Sequence, residues 1–208
     1  MTEPESSKPG SEADKPPRAI AAAILDLVSA IPGTTEVQSA TPSERARAIQ
    51  VAAARKAAVV SGALALPPGP AGIITILPDL VAVWRIQAQM VADIAAVFGK
   101  SSRLGQEQML YCLFRHAAAQ VVRDLTARIG ERVVFRQATL RALQLIAAKL
   151  GIKVTQRVIA KTAARFLPVV GSLGVAAYAY YDTTQVGATA QALFSAEIGA
   201  SDETKTRS

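Results

Sequence analysis

Residues 66–99, LPPGPAGIITILPDLVAVWRIQAQMVADIAAVFG, decide how the chain is read. The run opens on Pro67-Pro68-Gly69-Pro70, a break that a regular element does not cross, and closes on Gly99. Nothing between them alternates with period two, and alanine, the strongest helix former, recurs throughout. A helix is expected from about Ala71 to Phe98, with Gly99 as its C-terminal cap. Pro78 lies inside it, so a kink or restart is expected at Pro78-Asp79, with Asp79 capping the amides that the proline frees.

The rest of the chain has the same grammar. A short apolar helix is read from Arg18 to about Ala30, ended by Pro32-Gly33. Thr41-Pro42-Ser43-Glu44 places a hydroxyl, a proline and a glutamate where a capping box starts a helix that runs to about Leu66. Ser101 or Ser102 starts a helix to about Ile129, Glu131 to Leu150 forms another that Gly151 closes, and Ile152 to Phe166 a shorter one. Pro168 and Gly171 break the chain before a last helix from about Gly174 to Ile198. The fold class expected is all-α: one compact multi-helix domain over 18–199, with apolar helical hairpins broken by Pro and Gly. Residues 1–17 are rich in Pro, Ser, Glu and Lys, and are read with 200–208 as disordered tails.

Half of the 208 residues are hydrophobic, only 19% are charged, and the mean hydropathy is +0.26. The excess apolar surface must go into a helical core, into lipid, or onto a partner. Residues 57–78 hold no charge, and 22 residues could span a bilayer by length. The break at Pro67, Pro68 and Gly69 argues against a straight span, because hydrocarbon does not satisfy the freed backbone groups. Two half-length helices remain, either as core or as a hairpin dipping into one leaflet. Residues 166–196 carry Asp182 as their one charged residue and offer small residues at Gly171 and Gly174. Tyr178, Tyr180 and Tyr181 add apolar rings with polar tips suited to a membrane interface.

The net charge is +7, and thirteen Lys/Arg against three acids place it in 99–165. Lys149, Lys153, Arg157, Lys161 and Arg165 recur every four residues as a slanting cationic strip. An anionic leaflet would attract such a strip, and a plain solvated face is the equal alternative. Nucleic acid is the weaker reading, since no helix-turn-helix, zinc or RNP motif accompanies the charge.

No catalytic motif is present: no GxSxG, P-loop, GxGxxG or HExxH. Cys112 and His116 are four apart and could share a helix face, but the favoured reading is a small hydrophobe and a polar residue on one helix. They are too few for a zinc site, so neither metal nor cofactor is expected. Asp79, Asp93 and Asp182 each sit in apolar surroundings, where Arg85, Arg165 or a partner's base could pair with them. Gln87 and Gln89 face different sides, so at most one is buried. One cysteine permits no internal disulfide, and residues 1–17 lack a secretory leader, so the expected place is the cytoplasm or the cytoplasmic face of a membrane.

Residues 66–99 resemble the EcsC family's segment in which proline and glycine lead through an apolar run to Asp-Leu, then Gln, then an alanine-rich helix ending in Gly. KTAARFLPVVGSLGVAAYAYYDTTQVGATAQALF, residues 161–194, resembles that family's terminal segment, a basic helix entering Pro-Val-Val-Gly and an Ala/Gly-rich helix. The resemblance covers roughly residues 45–196. It implies a bacterial helical domain associated with membranes, with no activity, cofactor or catalytic residue attached. The expected function is a non-enzymatic, peripheral or monotopic membrane protein that meets anionic lipid or an integral membrane partner. The alternative is a soluble helical interaction module, homo-oligomeric or not, and an enzyme is the least favoured.

Overall fold

The computed structural model describes residues 15–64, 72–116, 144–153 and 168–205. These residues are helical apart from one long loop and a few turns, with no strand among them. The elements are α1 (Lys15–Ser29), α2 (Pro42–Leu64), α3 (Gly72–Val97), a 3-10 turn (Ser101–Arg103), α4 (Gln106–Phe114), a helical segment at 144–153, and α5 (Pro168–Lys205).

Helix α3 is the core of the molecule. From Val83 to Phe98 it buries residues on nearly every side, including Trp84, Met90, Val91, Ile94 and Val97, as a central helix must. Helix α1 lays its Ile20, Ile24 and Val28 stripe into the same core, four residues apart and so on one face. Helix α4 adds Met109, Leu110, Cys112, Leu113 and Phe114. The Phe114 ring meets Trp84 edge-on, with centroids 5.3 Å apart and planes at 79°. Such a pair adds about 0.5–1.5 kcal/mol beyond the area it buries.

Helix α2 buries a narrower, smaller face: Ala46, Ala54, Ala57 and Ser61. Small residues let α5 approach closely, and Gly187 of α5 is where the two meet, since a Cβ there would lie 2.6 Å from Cγ of Gln50. Gln50 then bridges the seam. Its amide donates to the Thr184 carbonyl at 2.7 Å, and its oxygen accepts from Gln191 at 2.7 Å.

The loop between α1 and α2 is held along α3 rather than left to solvent. Gln89 donates to both the Gly33 carbonyl and Asp93 at 2.9 Å, Thr34 donates to Asp93 at 2.6 Å, and the Ser39 amide donates to the Val97 carbonyl at 3.0 Å. At the end of α3, Gly99 has φ +69°, the Gly99 amide bonds to Ala96 and the Lys100 amide to Ala95. That pattern is a Schellman motif, and Gly99 caps the helix as its position in the sequence implies.

Several expected breaks are not breaks. Helix α3 runs through Pro78 without ending, so Asp79 lies about two turns inside the helix and is not its N-cap. The proline removes one amide donor, and the packing of a central helix outweighs that loss. Helix α5 starts at Pro168 and carries Gly171 and Gly174 within it. Proline suits the first position of a helix, where its missing amide has no partner to lose. Residues 144–153 are helical straight through Gly151. This glycine is a contact point, not a cap: it is buried, and a Cβ would run into the Pro17 carbonyl of α1. Helix α1 begins at Lys15 rather than Arg18, with Pro16 and Pro17 in its first turn, and α5 extends to Lys205. The helix expected from Ser101 or Ser102 begins at Gln106, where Gly105 is the N-cap and its amide donates to Gln108 at 3.0 Å. Pro67, Pro68 and Gly69 lie outside the described residues.

Candidate functional site

Three contacts set the relative heights of α2, α3 and α5. Ala57, Val83 and Ala179, one from each helix, form a small apolar cluster of their own. On one side of it, Ser61 of α2 reaches Asp79 of α3 at 3.4 Å. On the other, Gln87 of α3 reaches Asp182 and Thr183 of α5. Hence α3 and α5 run in the same direction and α2 runs opposite. The C-terminal end of α2 and the N-terminal ends of α3 and α5 meet at one end of the bundle.

That end is where the two uncharged stretches converge. Past the plane of Ala57, Val83 and Ala179, α2 and α5 carry no charged residue, and α3 carries Asp79 alone. Ser61 is buried and its hydroxyl faces Asp79, which turns the acid toward the bundle interior. Large apolar side chains are nevertheless exposed here: Val59 at 72% and Leu173 at 68%. Tyr178, Tyr180 and Tyr181 are also exposed, on α5 at the height of the plane itself.

A polar layer lies directly above. His116, just past the end of α4, meets Asp182 through Nε2 and Oδ1 at 2.7 Å. Gln87 Nε2 donates to Asp182 Oδ2 at 2.8 Å and to Thr183 Oγ1 at 3.2 Å. Burial alone would raise the Asp182 pKa, but the hydrogen bond and charge of His116, with hydrogen bonds from Gln87 and Tyr178, hold it below the usual carboxylate range. Gln87 is fully buried and Gln89 is not, in line with the opposite faces they occupy. Within this layer Gln87 Oε1 and His116 Nδ1 are buried and have no hydrogen-bond partner among the described residues.

The layer is a tie between α3, α4 and α5. Among the described residues no hydroxyl or thiol is hydrogen-bonded to His116 Nδ1. Cys112 is buried in the core, where the loss of solvation pushes its thiol pKa far up. No cluster of metal-binding side chains occurs among the described residues.

Lys149 and Lys153 lie on the helical segment that packs against α1 through Gly151. Arg157, Lys161 and Arg165 lie outside the described residues. Asp93 serves the loop contact with Thr34 and Gln89. Asp182 meets His116 and Gln87; Arg165, one of the arginines considered for it, lies outside the described residues. The signal that could have found this pair was isolation: His116 is the one histidine, and Asp182 the one charge in a run of apolar and small residues. Residues 78–97 of α3 are long and apolar enough to cross a membrane, but 61% buried, as the core helix of a domain is.

Compared with protein-family models, with curated proteins and with solved structures, the chain matches none.

Proposed function

We propose that this chain is a monotopic membrane protein of non-enzymatic role, seated in one leaflet by the uncharged end of the α2, α3 and α5 bundle. The observation that carries the reading is the convergence of two uncharged stretches, distant in sequence, at one end that exposes Val59, Leu173 and three tyrosines. From Pro168 to Ala179, α5 rises about 16 Å at 1.5 Å per residue, close to the ~15 Å of a single leaflet's hydrocarbon. The tyrosines then fall at the boundary between hydrocarbon and headgroups, where their rings and hydroxyls are both accommodated. Each exposed leucine or valine that enters the leaflet contributes about 1.5–3 kcal/mol. Asp79, turned toward Ser61, keeps its carboxylate on protein rather than on lipid. The EcsC resemblance of residues 66–99 and 161–194 points the same way, because the ends of α3 and α5 that converge belong to those two segments.

The test is flotation of detergent-free protein with neutral and anionic liposomes at low and high salt. Flotation that persists in high salt is the expected result. A monodisperse protein that stays at the bottom with both lipids would refute insertion and make the exposed end a protein interface.

A further inference from the structure

The plane of Ala57, Val83 and Ala179 also orders the charges. Arg55 and Lys56 precede Ala57 on α2, and Arg85 follows Val83 by two residues on α3. At 1.5 Å per residue all three backbone positions fall within about 3 Å of the plane, on the side away from the uncharged end. All three are exposed. None of the three is ion-paired among the described residues, where Arg45 pairs with Glu36 and His116 with Asp182. No acid occurs on α2 after Glu44, and Asp182, the one acid near that height on α5, is already engaged.

We infer that Arg55, Lys56 and Arg85 form the contact with anionic lipid headgroups, setting the depth at which the chain stops. The inference rests on the monotopic reading and adds to it the ligand chemistry: phosphate groups of anionic lipids. Guanidinium groups take phosphate oxygens two at a time, and an ammonium takes them as a point charge. Cations just above an apolar end are placed to extend into the headgroup layer while their stems line the hydrocarbon boundary. Tyr180 and Tyr181 stand at the same height on α5. Lys149 and Lys153 lie on another segment, the one packed against α1 through Gly151, and Lys153 already has an interaction partner.

The full chain is compared with R55Q/K56Q/R85Q and with K149Q/K153Q, each carrying an environment-sensitive fluorophore on a cysteine introduced by Leu173→Cys. Cys112 is buried and does not compete for the label. Vesicles are phosphatidylcholine alone, or equal parts of phosphatidylcholine and phosphatidylglycerol. The parent is expected to prefer the anionic vesicles at low salt. The triple variant is expected to bind them about a hundredfold more weakly, the sum over three basic residues near an anionic surface, while the label still enters neutral vesicles. K149Q/K153Q is expected to keep the preference. If the label enters the bilayer and the triple variant keeps its anionic preference, or K149Q/K153Q loses it equally, the headgroup assignment is overturned and insertion stands. If the label enters neither vesicle, both readings fall. K56Q alone, a single surface change, gives a smaller loss in the same direction should the triple variant fold poorly, and no loss counts against the assignment.

Discussion

Asp182 of α5 and His116, beyond the end of α4, meet at 2.7 Å across 66 positions of sequence, and both are largely withdrawn from solvent. Removing one partner leaves the other in a poorly solvated site with an unmet charge or donor. His116→Ala and Asp182→Asn are each expected to lower unfolding stability by about 2–4 kcal/mol near neutral pH. Urea denaturation followed by circular dichroism measures it. A loss below about 0.5 kcal/mol for both would show that the pair does not tie the helices.

The same carboxylate gives a pH dependence. Its pKa is lowered in the folded state, from an ordinary value of 3.8. The stabilisation is therefore present above pH 3.8, where the unfolded chain is also ionised, and is lost as pH falls through the lower folded value. Parent stability should drop steeply below about pH 4, and Asp182→Asn should flatten that limb. Parallel profiles for the two proteins would exclude Asp182 as the source.

Two glycines of α5 should respond with opposite signs. Gly187→Ala puts a methyl 2.6 Å from Cγ of Gln50, so about 1–3 kcal/mol of stability should be lost. Gly174 has nothing within 4 Å of such a methyl, so Gly174→Ala should gain about 0.5–1 kcal/mol from helix propensity alone. In a Gln50→Ala background the Gly187 penalty should shrink by about 1 kcal/mol, and a double-mutant cycle reads that coupling directly.

Cys112 should be silent to thiol reagents in the folded protein and react fully in denaturant. Its thiol is raised above the ordinary value of 9.0 by burial, so the folded state stays protonated where the unfolded chain ionises. Stability should consequently decline as pH rises above about 9, and Cys112→Ala should lessen that decline. Rapid labelling of folded protein at neutral pH would contradict the core placement.

Helix class was legible because its signals are local: alanine, the absence of alternation, Pro42 opening α2 and Gly99 closing α3. Pro78, Gly151 and Gly171 were expected to break or close helices and lie inside them. Each was read as local punctuation, while tertiary contacts decide what a helix tolerates and where a glycine is needed. Gly151 is the sharpest instance, since its small size serves α1, more than 120 residues earlier in the chain. The uncharged stretches were visible in the sequence, but their convergence was not, because it depends on α3 and α5 running the same way. His116 and Asp182 were each noticed, yet no spacing rule links two residues 66 positions apart on different elements.

The seam between α5 and its neighbours is built from Ala57, Val83, Ala179, Thr183, Val186, Gly187 and Ala190. Such a surface is nearly self-similar under translation: sliding α5 by one turn, about 5.4 Å, sets small residues against small residues again. Along this stretch dispersion and apolar burial distinguish one axial setting of α5 from the next only weakly, although Phe194, further along and fully buried in the core, adds a bulky apolar constraint. Within the stretch the discrimination falls to the polar groups. A one-turn slip would separate Asp182 from His116 and Gln87, and Thr184 and Gln191 from Gln50, leaving buried donors and acceptors unmet. The two amide side chains Gln50 and Gln87 thus act as the index marks of a vernier, giving a smooth, slippery rod a single allowed position.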